Sequence, residues 1–167
     1  LRVEEVFARR LQLIQPRRQD VAAVGQLYID QIEPDAVAMV AAVKAAGWTP
    51  VILSGGFRQA IEPLAAHLGI ERIEAVDLFF DPTGAYTGFD ETFPSTRSGG
   101  KPTRILELKR ELSPEKIVMV GDGVSDLETK SVVDLFVGFG RYVERPRVKA
   151  EAAHFISSLG QLAVLLK

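Results

Sequence analysis

One segment constrains this chain more than any other: Lys116-Ile117-Val118-Met119-Val120-Gly121-Asp122-Gly123-Val124-Ser125-Asp126. Residues 116–120 show no polar alternation and end at glycine, the pattern of a strand buried on both faces. Glycines on either side of Asp122 let the backbone turn tightly there. Asp122 and Asp126 then fall at the C-terminal edge of a sheet, where open α/β folds place their ligands. Two carboxylates at such an edge suit a hard cation such as Mg²⁺. The same residues also read as an Asp-Gly turn followed by a helix N-cap at Asp126.

Two further segments bear on that choice. In Val51-Ile52-Leu53-Ser54-Gly55-Gly56-Phe57 an apolar run again ends in small residues, and a helical pattern follows from Arg58 to Leu68, closed by Gly69. A hydroxyl and bare backbone N–H groups at a helix N-terminus make an anion site. Ser98-Gly99-Gly100-Lys101-Pro102 puts a lysine at the start of the next helical pattern, with Pro102 suited to a first turn. A lysine there can neutralise phosphate as a point charge. The segment is not a P-loop, which needs glycine at position 95 and Ser or Thr after the lysine. Ser95 and Pro102 stand there instead.

The order SGGF, GGK, VGDGxxD resembles motifs two to four of the haloacid dehalogenase superfamily, and more narrowly its phosphoserine phosphatase family. Arg9-Arg10-Leu11-Gln12-Leu13-Ile14-Gln15-Pro16 is similar to the end of that family's helical cap. Tyr86-Thr87-Gly88-Phe89-Asp90-Glu91-Thr92 is similar to the hairpin before its lysine motif. Val137-Gly138-Phe139-Gly140 with Arg145 is similar to the strand and loop after its acidic motif. The resemblance covers nearly the whole chain.

It implies Mg²⁺-dependent hydrolysis of a small phosphorylated metabolite, O-phosphoserine in L-serine biosynthesis, through an aspartyl phosphate. Asp122 becomes a direct metal ligand and Asp126 a member of the same acidic site. Ser54, Gly55 and Gly56 would hold phosphate oxygens, and Lys101 would bridge phosphate and nucleophile. Arg10 would take the substrate carboxylate, with Ser125 and Arg145 nearby. Val3 stands where the family often has Phe, which leaves other small phosphate esters open. The family's first motif, DxDxT, supplies the nucleophile and the acid/base, yet no D-x-D occurs in the sequence, which begins with Leu1. The expectation is a fragment, inactive as given. Residues 1–30 would be the end of a cap, and 31–167 a core lacking its first strand. A module binding phosphate or Mg²⁺ without turnover is the alternative.

At 167 residues one domain is the default. The net charge of -2 offers no basic footprint, so nucleic acid is not an expected partner. No apolar stretch approaches membrane-spanning length, so no membrane partner is expected either. The absence of cysteine excludes disulfides and thiol catalysis, and fits the cytoplasm. His67 and His154 have no ligand at metal spacing, and Trp48 reads as core.

Val3, Val6, Phe7, Leu11 and Ile14 recur at helical spacing until Gln15-Pro16, and Val21, Val24, Leu27 and Tyr28 begin a second helix. A third runs from Asp35 to a glycine stop at Gly47, before a strand at 49–53. Residues 74–80 and 85–89 flank Asp81-Pro82-Thr83-Gly84 as a hairpin. A helix over 102–112, the strand at 116–120, a short helix after Asp126, strands at 135–137 and 155–156, and a terminal helix over 159–166 complete the pattern. Strands alternating with helices predict an α/β fold with a largely parallel sheet. The family makes this a Rossmann-like core with the remnant of a helical cap.

Overall fold

The computed structural model describes residues 3–166, with side chains from Phe7 onward. Leu1, and the side chains of Val3 and Val6 in the predicted apolar stripe, lie outside the described residues. The chain divides into two compact units, Leu1–Ser98 and Gly99–Lys167.

The first unit opens with helices α1 (Val3–Ile14) and α2 (Arg18–Asp30). Pro16 separates them, because it cannot donate to a helix and pushes the residue before it out of the helical region. Gln15 takes φ 43° there. The Asp20 carboxylate then accepts the Arg17 N–H at 2.8 Å and starts α2. Helix α3 (Ala36–Ala45) runs to a left-handed Gly47, strand β1 covers Val51–Phe57, and helix α4 (Arg58–Leu68) ends at a left-handed Gly69. The Gly69 carbonyl accepts from Lys44 Nζ at 2.9 Å.

Helix α2 packs on α4 through Gly25. A Cβ on Gly25 would lie 3.0 Å from the Ala60 carbonyl and 3.2 Å from Pro63, so only a glycine lets the helices approach this closely. Leu11, Val21, Ala60 and Leu78 form the core beside them, with Phe7, Phe57 and Phe89 against it. A second cluster of Val40, Ala65 and Ile70 joins α3 and α4 to the sheet.

The sequence predicts one strand over 74–80. The chain instead makes two, β2 (Arg72–Val76) parallel to β1, and β3 (Leu78–Phe80) antiparallel to β4 (Tyr86–Phe89). Asp77 divides them, accepting from Arg58 Nε at 3.2 Å and Gln59 Nε2 at 3.3 Å at the start of α4. The β3–β4 turn forms as predicted around Asp81. A hydrogen bond from the Thr83 hydroxyl and another from the Ala85 N–H hold the Asp81 carboxyl below its ordinary pKa. A 3-10 turn follows at Pro94–Thr96.

The second unit contains helix α5 (Gly100–Leu112), strand β5 (Val118–Gly121), helix α6 (Val124–Leu127), strand β6 (Leu135–Phe139), helix α7 (Pro146–Glu151), strand β7 (His154–Ile156) and helix α8 (Leu162–Leu165). Strands β5, β6 and β7 pair in parallel in that order. Leu127, Phe136 and Val148 form the core that holds α6 and α7 to this sheet. Strand β5 starts two residues later than the sequence predicts, because the Asp134 carboxylate takes the Ile117 N–H at 2.7 Å. No helix among the described residues is long and apolar enough to cross a membrane.

Candidate functional site

In the first unit the Ser-Gly-Gly segment forms a bulge. Leu53 pairs with Glu74 and Phe57 with Val76, so four steps along β1 match two along β2. Ser54, Gly55 and Gly56 take up the surplus, and α4 starts immediately after at Arg58. The sequence reads these residues as the end of the strand, whereas the strand continues through them to Phe57. Bulges re-aim backbone and side chains next to functional sites. The bulge also settles some of its own polar groups. The Gly56 N–H donates to Ser54 Oγ at 2.9 Å, which engages one of the three predicted phosphate donors inside the protein. Arg10 lies exposed on α1.

In the second unit, Lys101 and Asp126 meet although they stand 25 positions apart. Lys101 Nζ lies 2.5 Å from Asp126 Oδ1. Their side chains are 14% and 9% exposed, so the pair is held largely away from water. Left-handed Gly99 starts α5, which places Lys101 in the first turn of the helix. Asp126 is not the N-cap of α6, as the turn reading requires. Gly123 occupies that position, and Asp126 Oδ2 reaches back to accept the Gly123 N–H at 2.9 Å. Buried Thr129 secures the same turn by donating to the Asp126 carbonyl at 2.6 Å. Gly121 makes room for this arrangement. A Cβ there would fall 2.3 Å from Asp126 Cβ, inside any tolerable contact.

Asp122 has the opposite environment. Its side chain is 54% exposed, and Arg145 Nε approaches its Oδ2 at 3.7 Å. Ser125 is exposed on the first turn of α6. His67 and His154 are exposed and Trp48 is half-buried. Among the described residues no group of three or more His, Cys, Asp or Glu is placed to hold a metal. A single exposed carboxylate with a buried, lysine-paired carboxylate behind it does fit Mg²⁺. That ion keeps its waters and is bound through one or two carboxylates together with substrate phosphate.

Two structural roles here escape a reading of the sequence. Thr129 signals itself only as a hydroxyl three residues after an aspartate, a pattern common to many turns. Gly121 reads as a turn glycine, and the contact that demands it depends on where Asp126 folds back.

Helices alternating with parallel strands in both units, with polar and acidic residues at the strand ends, are the architecture of an α/β fold. The chain belongs to the haloacid dehalogenase-like hydrolase family, whose model matches residues 2–129. Its relatives there make it a hydrolase of the phosphatase type. Phosphoserine phosphatase of Bos taurus is 38% identical over 158 residues, covering 93% of this chain and 70% of that protein. The Homo sapiens phosphoserine phosphatase is 37% identical over 155 residues, covering 92% and 69%. The fold matches a phosphoserine phosphohydrolase-like protein from Francisella tularensis subsp. tularensis SCHU S4 with a TM-score of 0.87 at 23% identity, over 100% of this chain and 78% of that one. It also matches a phospho-aspartyl intermediate analogue of phosphoserine phosphatase with a TM-score of 0.78 at 21% identity, over 100% and 79%.

Proposed function

We propose that this chain serves a Mg²⁺-dependent phosphomonoester hydrolase acting on O-phosphoserine, in L-serine biosynthesis, through an aspartyl-phosphate intermediate. The attacking carboxylate comes from outside the sequence given. The Lys101–Asp126 pair next to Asp122 carries this reading. The phosphoserine phosphatase relatives support the substrate, and the phospho-aspartyl analogue of a structural neighbour supports the chemical route.

In that route an aspartate oxygen bonds to phosphorus while the ester P–O bond breaks, and the departing alkoxide takes a proton from a carboxylic acid. Water then cleaves the acyl phosphate, releasing inorganic phosphate and restoring the carboxylate. This chain contributes the electrostatic part of the catalyst. The Lys101 ammonium, fixed by Asp126, neutralises charge on the phosphate and the nucleophile. The Ser54 O–H and the Gly55 N–H donate to phosphate oxygens, with Gly56 shaping the bulge that presents them. Asp122 would hold Mg²⁺, which screens the attacking carboxylate from the phosphate. Arg10 would fork onto the substrate carboxylate with two parallel hydrogen bonds, and Ser125 and Arg145 would lie beside the substrate.

Residues 1–30 belong, in this reading, to the end of a cap, and 31–167 to a core that takes one more strand. The composition supports placing the protein in the cytoplasm.

The test uses the full-length protein. Asp122→Asn lowers phosphoserine turnover on the order of 100-fold and weakens Mg²⁺ binding measured by calorimetry. Arg10→Ala removes the preference for phosphoserine over a phosphate ester lacking the carboxylate. An unchanged Mg²⁺ requirement in Asp122→Asn sinks the metal assignment. A full-length protein that hydrolyses no phosphate monoester leaves only the binding module.

A further inference from the structure

The Ser54-Gly55-Gly56 bulge is held unequally at its two ends. Before it, three residue pairs join β1 to β2: Val51 with Arg72, Ile52 with Ile73 and Leu53 with Glu74. After it, among the described residues, only Phe57 with Val76 does so. A bulge keeps its surplus residues only while the pairing on both sides keeps register. One pair, with α4 starting at the next residue, is a weak anchor for that purpose.

Gln59 supplies the rest. Its amide treats Leu78 as a neighbouring strand would: Nε2 donates to the Leu78 carbonyl at 3.0 Å, and Oε1 accepts the Leu78 N–H at 3.1 Å. Nε2 also reaches Asp77 Oδ1 at 3.3 Å, and Arg58 Nε meets the other oxygen of that carboxylate at 3.2 Å. Arg58 and Gln59 follow Phe57 in the chain, and Asp77 and Leu78 follow Val76. The ladder that ends in backbone at Phe57 and Val76 is thus carried on by side chains from the first turn of α4. Leu78 is buried, so its N–H and C=O depend on that amide rather than on water.

We propose that Gln59 is a positioning residue of the phosphate site. By taking both backbone polar groups of Leu78 it fixes the register after the bulge, and so holds Ser54 and Gly55 where they donate to phosphate oxygens. This rests on the reading of the bulge as a phosphate site.

The experiment titrates inorganic phosphate by calorimetry into the full-length protein and its Gln59→Met, Gln59→Asn and Val40→Ala variants, with a thermal melt and amide hydrogen exchange of each. Gln59→Met keeps the length of the side chain without its amide, and Gln59→Asn keeps the amide but falls short by one methylene. Both are expected to weaken phosphate about tenfold and to speed exchange at Gly55 and Gly56. Val40→Ala opens a cavity in the separate cluster of α3 with α4 and lowers the melting temperature. It is expected to stay within about twofold of the parent in phosphate affinity, because it touches neither the bulge nor Gln59. Unchanged affinity in both Gln59 variants, in a parent that binds phosphate, overturns the assignment and leaves Gln59 a clamp for the hairpin alone. An equal loss in Val40→Ala also overturns it, since affinity would then follow overall stability. A parent protein that binds no phosphate overturns the reading of the bulge, and the role of Gln59 with it.

Discussion

Asp126 is the residue on which the charged part of the site turns. One carboxylate oxygen meets an ammonium, the other a backbone N–H, and its carbonyl accepts from a buried threonine. Taking a charge out of water is costly, and removing one partner strands the other. Lys101→Met should therefore cost about 3–5 kcal/mol in denaturant unfolding. The double variant Lys101→Met with Asp126→Asn should recover most of that loss, because no charge is then left unpaired and the amide oxygen still accepts the Gly123 N–H. Equal destabilisation in the single and double variants would mean that the lysine contributes through its alkyl chain instead. The types of these residues are legible in the sequence, while their pairing is not. Nothing in local spacing brings position 101 to position 126, and the family resemblance is what places both in one site.

Elements bounded by proline and glycine were the easiest to read. Pro16, Gly47 and Gly69 end or separate helices where the sequence predicts, since their backbone preferences act locally. Elements bounded by tertiary contacts were not. The break between β2 and β3 depends on Asp77 meeting Arg58 and Gln59, which lie 18 or 19 residues away. The continuation of β1 through two glycines depends on a parallel partner that accommodates a bulge. Gly25 belongs with this second kind. In a helix it reads as a weakness, yet it sets the crossing of α2 on α4. Gly25→Val should cost about 1–3 kcal/mol through overpacking, read as a lower midpoint in urea. A midpoint unchanged from the parent would mean that α2 shifts freely and that the close approach is not what holds the helices together.

For the molecule as a whole, the α/β class follows from the alternation of elements, and parallel pairing in two of its sheets agrees with it. Among the described residues β1 and β5 each pair on one side only, although Val51-Ile52-Leu53 and Val118-Met119-Val120 carry the apolar sequences of interior strands. All residues of both strands are half-buried. Apolar strands with an open edge recruit other chains. The 167-residue chain alone should therefore self-associate in sedimentation at micromolar concentration. A monomer with a cooperative melt would show that these edges are protected.

The 25-position spacing of Lys101 and Asp126 also sets an order of events during synthesis. At a translation rate of roughly 5–20 residues per second, the lysine is added about 1–5 s before its partner exists. Until then its ammonium keeps its water, and the first turn of α5 cannot settle against a loop that has not been made. Orientation of the lysine in the first turn of α5 thus waits for the acidic loop to be made.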